Sequence, residues 1–244
     1  MSGWLEFALA FLAFFASHAI PVRPAVKSRL VARIGARGFT LAYSTLSLGI
    51  LAWLIGAAAR APYVELWPRA LWQTHIPLSI MALVCMIITL ALLRPNPLSF
   101  GGARNADFDP DHPGIIGWMR HPLLVALALW SGAHIVPNGD LAHVILFGTF
   151  FAFSLLGMKL IDRRKSRQLG DDWGRLTKTA RRIEITPGGI IRVVLGLGLY
   201  AALLMLMAWP TKASPSIAFI CSALAASSSD GAISSVRLAR SKAT

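Results

Sequence analysis

The sequence predicts an all-α fold, a polytopic membrane bundle of about six transmembrane helices. The first observation is composition: 55% of the 244 residues are hydrophobic, only 14% are charged, and the mean hydropathy is +0.60. A soluble domain usually carries about 25% charged residues. The second observation is that runs of roughly 18 or more apolar residues recur along the chain, and each is long enough to cross a bilayer.

The apolar runs define the predicted elements in chain order. They lie at about 4–20, 39–59, 71–93, 121–137, 141–160 and 188–209. The first run has no basic segment before it and no small-residue cleavage site after it, so we predict a retained helix. The fourth run is short, and Pro122 is predicted to start its helix because proline at the first helical position loses no needed hydrogen bond. Residues 1–210 are predicted to form one transmembrane domain, and the Ser- and Ala-rich residues 211–244 a flexible tail.

Positive charge is distributed unevenly between the two sides of the predicted bundle. The loops 21–38, 94–120 and 161–187 hold sixteen Lys and Arg residues, whereas the opposite loops hold only Arg60 and Arg69. By the positive-inside rule the basic loops face the cytoplasm, which predicts a bacterial inner-membrane protein with both termini in the periplasm. Contact with anionic lipid then explains the net charge of +13. The lipid bilayer is the predicted partner, and nucleic acid is excluded.

The histidines differ in their predicted depth in the membrane. His18 ends the first span and His121 begins the fourth, so the two lie at similar depth near the cytoplasmic face, on different helices. His134 lies on the same helix as His121 but about 20 Å away, too far for the two to share a metal. Opposed imidazoles from two helices can hold a haem iron in a bundle. His18 and His121 are therefore candidate metal ligands, with haem between the first and fourth helices.

Two neighbouring features fit this pairing, although each has a simpler explanation. An aromatic stripe leads along one face of the first helix to His18 and consists of Phe7, Phe11 and Phe14. It would suit a porphyrin wall, but ordinary helix packing is the commoner cause of such a stripe. Arg23 and Arg120 lie at the same boundary, where guanidinium groups could bind haem propionates or lipid phosphates. Both arginines are candidate cofactor-binding residues.

The other candidate ligands carry weaker signals. His75, His134 and His143 lie toward the predicted outer face, where they could converge on a metal or, the favoured interpretation, form hydrogen bonds with the backbone. Cys85 and Cys221 are far apart and show no ligand spacing, and the chain has no CxxCH motif for covalent haem attachment.

Two longer segments resemble a known family. They are SHAIPVRPAVKSRLVARIGARGFTLAYSTLSLGILAW, Ser17 to Trp53, and MRHPLLVALALWSGAHIVPNGDLAHVILFGTFFAFSLLG, Met119 to Gly157. Both are similar to the NnrU family, and the resemblance extends over roughly residues 4–210. The family is associated with nitric-oxide and nitrite-reductase functions in bacterial denitrification, and its plant relative is cis-zeta-carotene isomerase, a haem-b enzyme with histidine ligands. The resemblance implies haem b held by His18 and His121, with nitric oxide or a polyene as the small molecule.

Two other functions remain open at this point. Arg120-His121-Pro122 and the segment Leu169 to Arg182 also resemble integral-membrane methyltransferases and sterol reductases, in which such a helix start binds an anionic cofactor. The tyrosine and glycine expected after the proline are absent here, since Leu123 to Ala126 occupy those positions. Alternatively, the chain is a non-enzymatic assembly or signalling subunit that docks through loop 161–187. The sequence leaves open whether the protein is an enzyme, and it assigns no catalytic residue.

Overall fold

The computed structural model describes residues 2–100, 102–181 and 185–208. These residues form α-helices and short 3-10 helices, and none of them forms a strand. The α-helices are α1 (Ser2–Ala19), α2 (Pro24–Arg60), α3 (His75–Ala91), α4 (Pro122–Ile135), α5 (Leu141–Leu169), α6 (Asp172–Thr177) and α7 (Pro187–Ala208). The predicted tail at 211–244 and Cys221 lie outside the described residues. The all-helical prediction is confirmed for the part that is described.

Membrane-compatible helices account for most of the chain. Four segments are long and apolar enough to cross a membrane: α2, Leu71–Ala91 (which contains α3), α5 and α7. The first and fourth helices are apolar but shorter. The 14 residues of α4 extend about 21 Å, less than the hydrocarbon core of about 30 Å. The chain is a helical membrane protein, while the count of six spans and their orientation stay predictions.

Two predicted loops are partly helical, which corrects their boundaries. Helix α2 begins at Pro24, inside the predicted loop 21–38, and Gly35 interrupts its helical backbone with a φ of +73°. Helix α5 runs on to Leu169 instead of ending near residue 160, and it stops at Gly170, whose φ is +54°. Hydropathy detects only the part of a helix that matches the lipid, whereas the helix itself continues into the polar interface wherever the local residues favour it.

The helices pack in a continuous series of neighbours. Helix α1 packs against α2, α2 touches α5, α5 packs against α4, and α3 lies between α4 and α7. The largest apolar core joins α1, α2 and α5, and its buried members include Phe7, Phe14, Leu54, Leu146 and Phe150. The aromatic stripe of α1 therefore packs against neighbouring helices, which is the simpler of its two interpretations.

The loops gather at two ends of the bundle. At one end the segment after α2 is joined to the turn before α5, where Leu66 N donates to the Gly139 carbonyl at 2.7 Å and Leu141 N donates to the Val64 carbonyl at 2.9 Å. At the other end, which we call the basic end, lie the three Arg- and Lys-rich loops. There Ala180 N donates to the Pro110 carbonyl at 3.0 Å, which joins loop 94–120 to loop 161–187. The candidate site lies at the basic end.

Candidate functional site

His121 is the centre of a buried polar cluster at the basic end. It immediately precedes α4, which starts at Pro122, and its residue surface is only 4% exposed. The Asp162 carboxylate accepts a hydrogen bond from its Nε2 at 2.9 Å, and Ser99 Oγ lies 2.9 Å from its Nδ1. Because a carboxylate only accepts, Nε2 carries the proton in this arrangement. Both ring nitrogens of His121 are therefore engaged.

Arg120 shares the same carboxylate. Its Nη1 donates to Asp162 Oδ2 at 2.7 Å, and its Cζ lies 5.2 Å from the centre of the Trp173 ring. The side chains of Arg120 and Asp162 are about a third exposed, so water reaches this pair although it does not reach His121. The Asp162 carboxylate on α5 thus binds both Arg120 and His121, the two residues that precede α4.

Asn96 folds the loop that delivers Ser99 to the site. Asn96 is 3% exposed, its Nδ2 donates to the Arg120 carbonyl at 3.1 Å, and its Oδ1 accepts from Leu98 N at 3.1 Å. Asn105 Oδ1 accepts from Asn96 N at 2.9 Å and closes the loop. Buried polar groups of this kind are costly unless they are paired, so the network fixes the loop in one conformation.

His18 lies in a different environment, on α1. Its Nδ1 donates to the Phe14 carbonyl at 2.8 Å, and its ring centre is 4.2 Å from that of Phe14 and 6.1 Å from that of Tyr43 on α2. Since the carbonyl can only accept, Nε2 is the unprotonated nitrogen of the neutral ring. Nε2 has no hydrogen-bond partner among the residues that the structure describes. His18 therefore presents a free lone pair.

The partner of His121, Asp162, lies further towards the basic end than His18 does. The ring centres of Phe14 on α1 and Phe150 on α5 are 5.4 Å apart. Because the two helices run in the same direction, these residues lie at the same height along the bundle. His18 follows Phe14 by one turn, about 6 Å, whereas Asp162 follows Phe150 by about 18 Å at 1.5 Å per residue. The partner of His121 thus lies about 12 Å nearer the basic end than His18 does.

The other predicted site residues are dispersed. Arg23 is exposed just before α2, and His75 is exposed at the start of α3. His134 Nδ1 donates to the Trp130 carbonyl at 2.7 Å, and the Asp140 carboxylate lies 2.8 Å from Nδ1 of His143. Among the described residues, no three His, Cys, Asp or Glu side chains are grouped to bind a metal.

Sequence reasoning missed the partners of His121. The apolar run of α5 ends near residue 160, so the sequence predicts that Asp162 lies in a basic loop, and Ser99 and Asn96 carry no motif. One signal was available: Asp162 is an isolated acidic residue at the start of the basic run Arg163 to Arg167. A lone carboxylate beside so many cations is typical of a specific ion pair.

A family model described as NnrU protein matches residues 6–215. No curated protein and no solved structure matches the chain significantly.

Proposed function

The chain belongs to the NnrU family, and on that premise we propose that it is a membrane protein that binds haem b through His18. In this proposal it acts in nitric-oxide or nitrite metabolism, or in a redox-dependent cis–trans isomerisation. His121 is the second histidine of the proposed site. The haem in this proposal is implied by the family resemblance.

The surroundings of His18 support the proposal. A histidine that binds a metal usually donates its other ring N–H to a carbonyl or a carboxylate, which fixes the tautomer and the ring orientation. His18 has this arrangement, since its Nδ1 is held by the Phe14 carbonyl at 2.8 Å and its Nε2 is free among the described residues. The flanking rings of Phe14 and Tyr43 would suit the flat face of a porphyrin. This is the observation on which the proposal depends.

His121 fits the role of a ligand only after a rearrangement. In the described conformation its Nε2 donates to Asp162, so that nitrogen has no lone pair to offer. His121 is bound to Asp162, whose position on α5 is about 12 Å nearer the basic end than His18, so ligation of one metal by both histidines would also require His121 to move towards His18. The described conformation therefore favours His18 as the sole protein ligand, and a bis-histidine site requires Asp162 to release His121.

The two candidate arginines also differ in whether their side chains are available to a ligand. Arg120 already has the carboxylate of Asp162 as its partner, so a haem propionate or another anion would have to displace that group. Arg23 is exposed and is the arginine nearer in sequence to His18, which favours it for a propionate. The same Arg120–Asp162 pair argues against the methyltransferase or reductase alternative, because that function needs Arg120 and His121 free for an anionic cofactor.

If haem were bound through His18, it would supply an iron able to exchange electrons and to bind a small molecule. The protein's own contribution is to orient the His18 ring through the Phe14 carbonyl and to surround it with aromatic side chains that limit access of water. A nitric oxide molecule or a polyene double bond is the class of ligand proposed for this partly buried, aromatic-lined site.

An absorption spectrum of the purified protein tests the proposal. We expect a Soret band in the wild type, its loss in His18→Ala, and its retention in His75→Ala, a matched variant at an exposed histidine. His121→Ala separates the two forms of ligation: an unchanged band indicates His18 alone, and a shifted or lost band indicates that both histidines bind. A wild type without a Soret band, or a His18→Ala variant with full haem content, contradicts the proposal.

A further inference from the structure

A cavity of about 400 Å³ opens at the basic end, and neither histidine lines it. It lies between the end of α3, the start of α7 and the 3-10 turn Gly114–Gly117. Its volume is within the range of small-molecule pockets. The proposed haem site does not involve it.

The walls of the cavity are apolar. Leu90 contributes from α3, Ile115 from the 3-10 turn, and Ile190 and Val193 from α7. Trp118 also lines the cavity, and its residue surface is 56% exposed. Tryptophan is enriched at the level of lipid headgroups, so the mouth of the cavity has the character of a membrane interface. Such walls suit a hydrocarbon chain that enters from the bilayer.

A single cation, Arg94, lines the cavity among the described residues. It follows α3 directly, and its guanidinium lies against Gly114, where an added Cβ would be 2.8 Å from Nη1. This guanidinium has no hydrogen-bond or ion-pair partner among the described residues. A charged group left unpaired beside an apolar wall favours a ligand that brings the opposite charge.

The start of α7 adds positive potential on the same side. Thr186 lines the cavity and caps the helix, since its Oγ1 accepts from Gly189 N at 3.0 Å. The aligned peptide dipoles of a helix place partial positive charge at its N-terminus. The dipole of α7 and the charge of Arg94 therefore both favour an anion at the mouth, while the deeper walls favour hydrocarbon.

We propose that this cavity binds an anionic phospholipid, with the phosphate on Arg94 and one acyl chain against Leu90, Ile190 and Val193. A free phosphate would leave the apolar walls without an occupant, and a zwitterionic lipid would bring no net charge to Arg94. The proposal is independent of haem, because the cavity shares no residue with the His18 or His121 surroundings.

Lipid binding to the full chain is measured by native mass spectrometry, with phosphatidylglycerol and phosphatidylcholine added to the protein in detergent. We expect preferential retention of phosphatidylglycerol, and about tenfold weaker retention in Arg94→Gln, as for the loss of one charge-assisted contact. The matched control Arg104→Gln changes an exposed arginine of the same loop and should bind as the wild type does.

A second variant tests the acyl-chain part of the cavity. Ile190→Trp fills the space between α7 and α3 while Arg94 is kept, and it should reduce retention of both lipids. Equal phosphatidylglycerol retention in Arg94→Gln and Arg104→Gln overturns the proposal. So does competition by glycerol phosphate at the same concentration as the lipid, which would assign the site to a soluble phosphate. Arg94→Gln alone decides the question if Ile190→Trp does not fold.

Discussion

His18 and His121 sit at the ends of two apolar helices, yet the structure holds them in opposite ways. His18 is fixed by a carbonyl only four residues away on its own helix. His121 is fixed by Ser99 and Asp162, which are 22 and 41 residues away in the sequence. Among the described residues nothing binds Nε2 of His18, whereas both ring nitrogens of His121 are engaged.

This difference bears on the two proposed roles: His18 as a ligand, and His121 as a residue that stabilises the fold. The local bond of His18 orients the ring without joining α1 to anything else. The bonds of His121 connect loop 94–120, the start of α4 and the end of α5, and they bury the imidazole almost completely. We therefore expect changes around His121 to affect the stability of the protein, and changes at His18 to affect binding.

The largest effect is expected for Asp162→Ala. The substitution leaves His121 Nε2 buried without an acceptor and removes the ion-pair partner of Arg120, so the free energy of unfolding should fall by about 2 kcal/mol. Asp162→Asn keeps one accepting oxygen and should lose less. The measurement is the thermal unfolding midpoint in detergent micelles, followed by tryptophan fluorescence.

Asp172→Ala is the matched control for that experiment. Asp172 also pairs with an arginine, Arg175, but both side chains are more than 60% exposed. Exposed pairs of this kind contribute little, so the change should stay within about 0.5 kcal/mol. Equal destabilisation by the two alanine variants would mean that the Asp162 pair does not fasten the fold.

The sequence predicted the helices well and the site only in part, for a physical reason. Apolar runs report the section of a helix that faces lipid, so each predicted span matches a helix. The polar ends of the helices have no apolar run. The sequence therefore predicts loops where α2 begins at Pro24 and where α5 ends at Leu169. Asp162 was missed with them.

The predicted pairing of His18 with His121 also depends on helix ends that the apolar runs do not define. Counting residues from the predicted helix ends gave both histidines a similar depth. Once α5 is seen to continue past residue 160, the carboxylate that binds His121 lies beyond the level of His18. Long-range hydrogen bonds such as those of Asn96 and Ser99 have no periodicity in the sequence, so only the folded chain reveals them.

A smaller effect is expected for Ser99→Ala, which removes a single hydroxyl from His121. The imidazole loses its Nδ1 partner but keeps Asp162, so the free energy of unfolding should fall by about 1 kcal/mol. Ser28→Ala is the control, because its hydroxyl is exposed and donates only to the Ala25 carbonyl of its own helix. If thermal unfolding gives the two serine variants the same midpoint, the Nδ1 contact contributes nothing to the fold.

The smallest effect on stability is expected at His18 itself. His18→Gln keeps much of the side-chain volume and breaks only a bond within α1, so the unfolding free energy of the haem-free protein should change by about 0.5 kcal/mol or less. The same variant should lose the Soret band when haem is supplied, because the glutamine amide offers no imidazole lone pair. We thus expect His18 to contribute to haem binding with little effect on stability, and His121 to contribute mainly to stability. If His18→Gln were as unstable as Asp162→Ala, both histidines would stabilise the fold. The proposed difference between their roles would then be wrong.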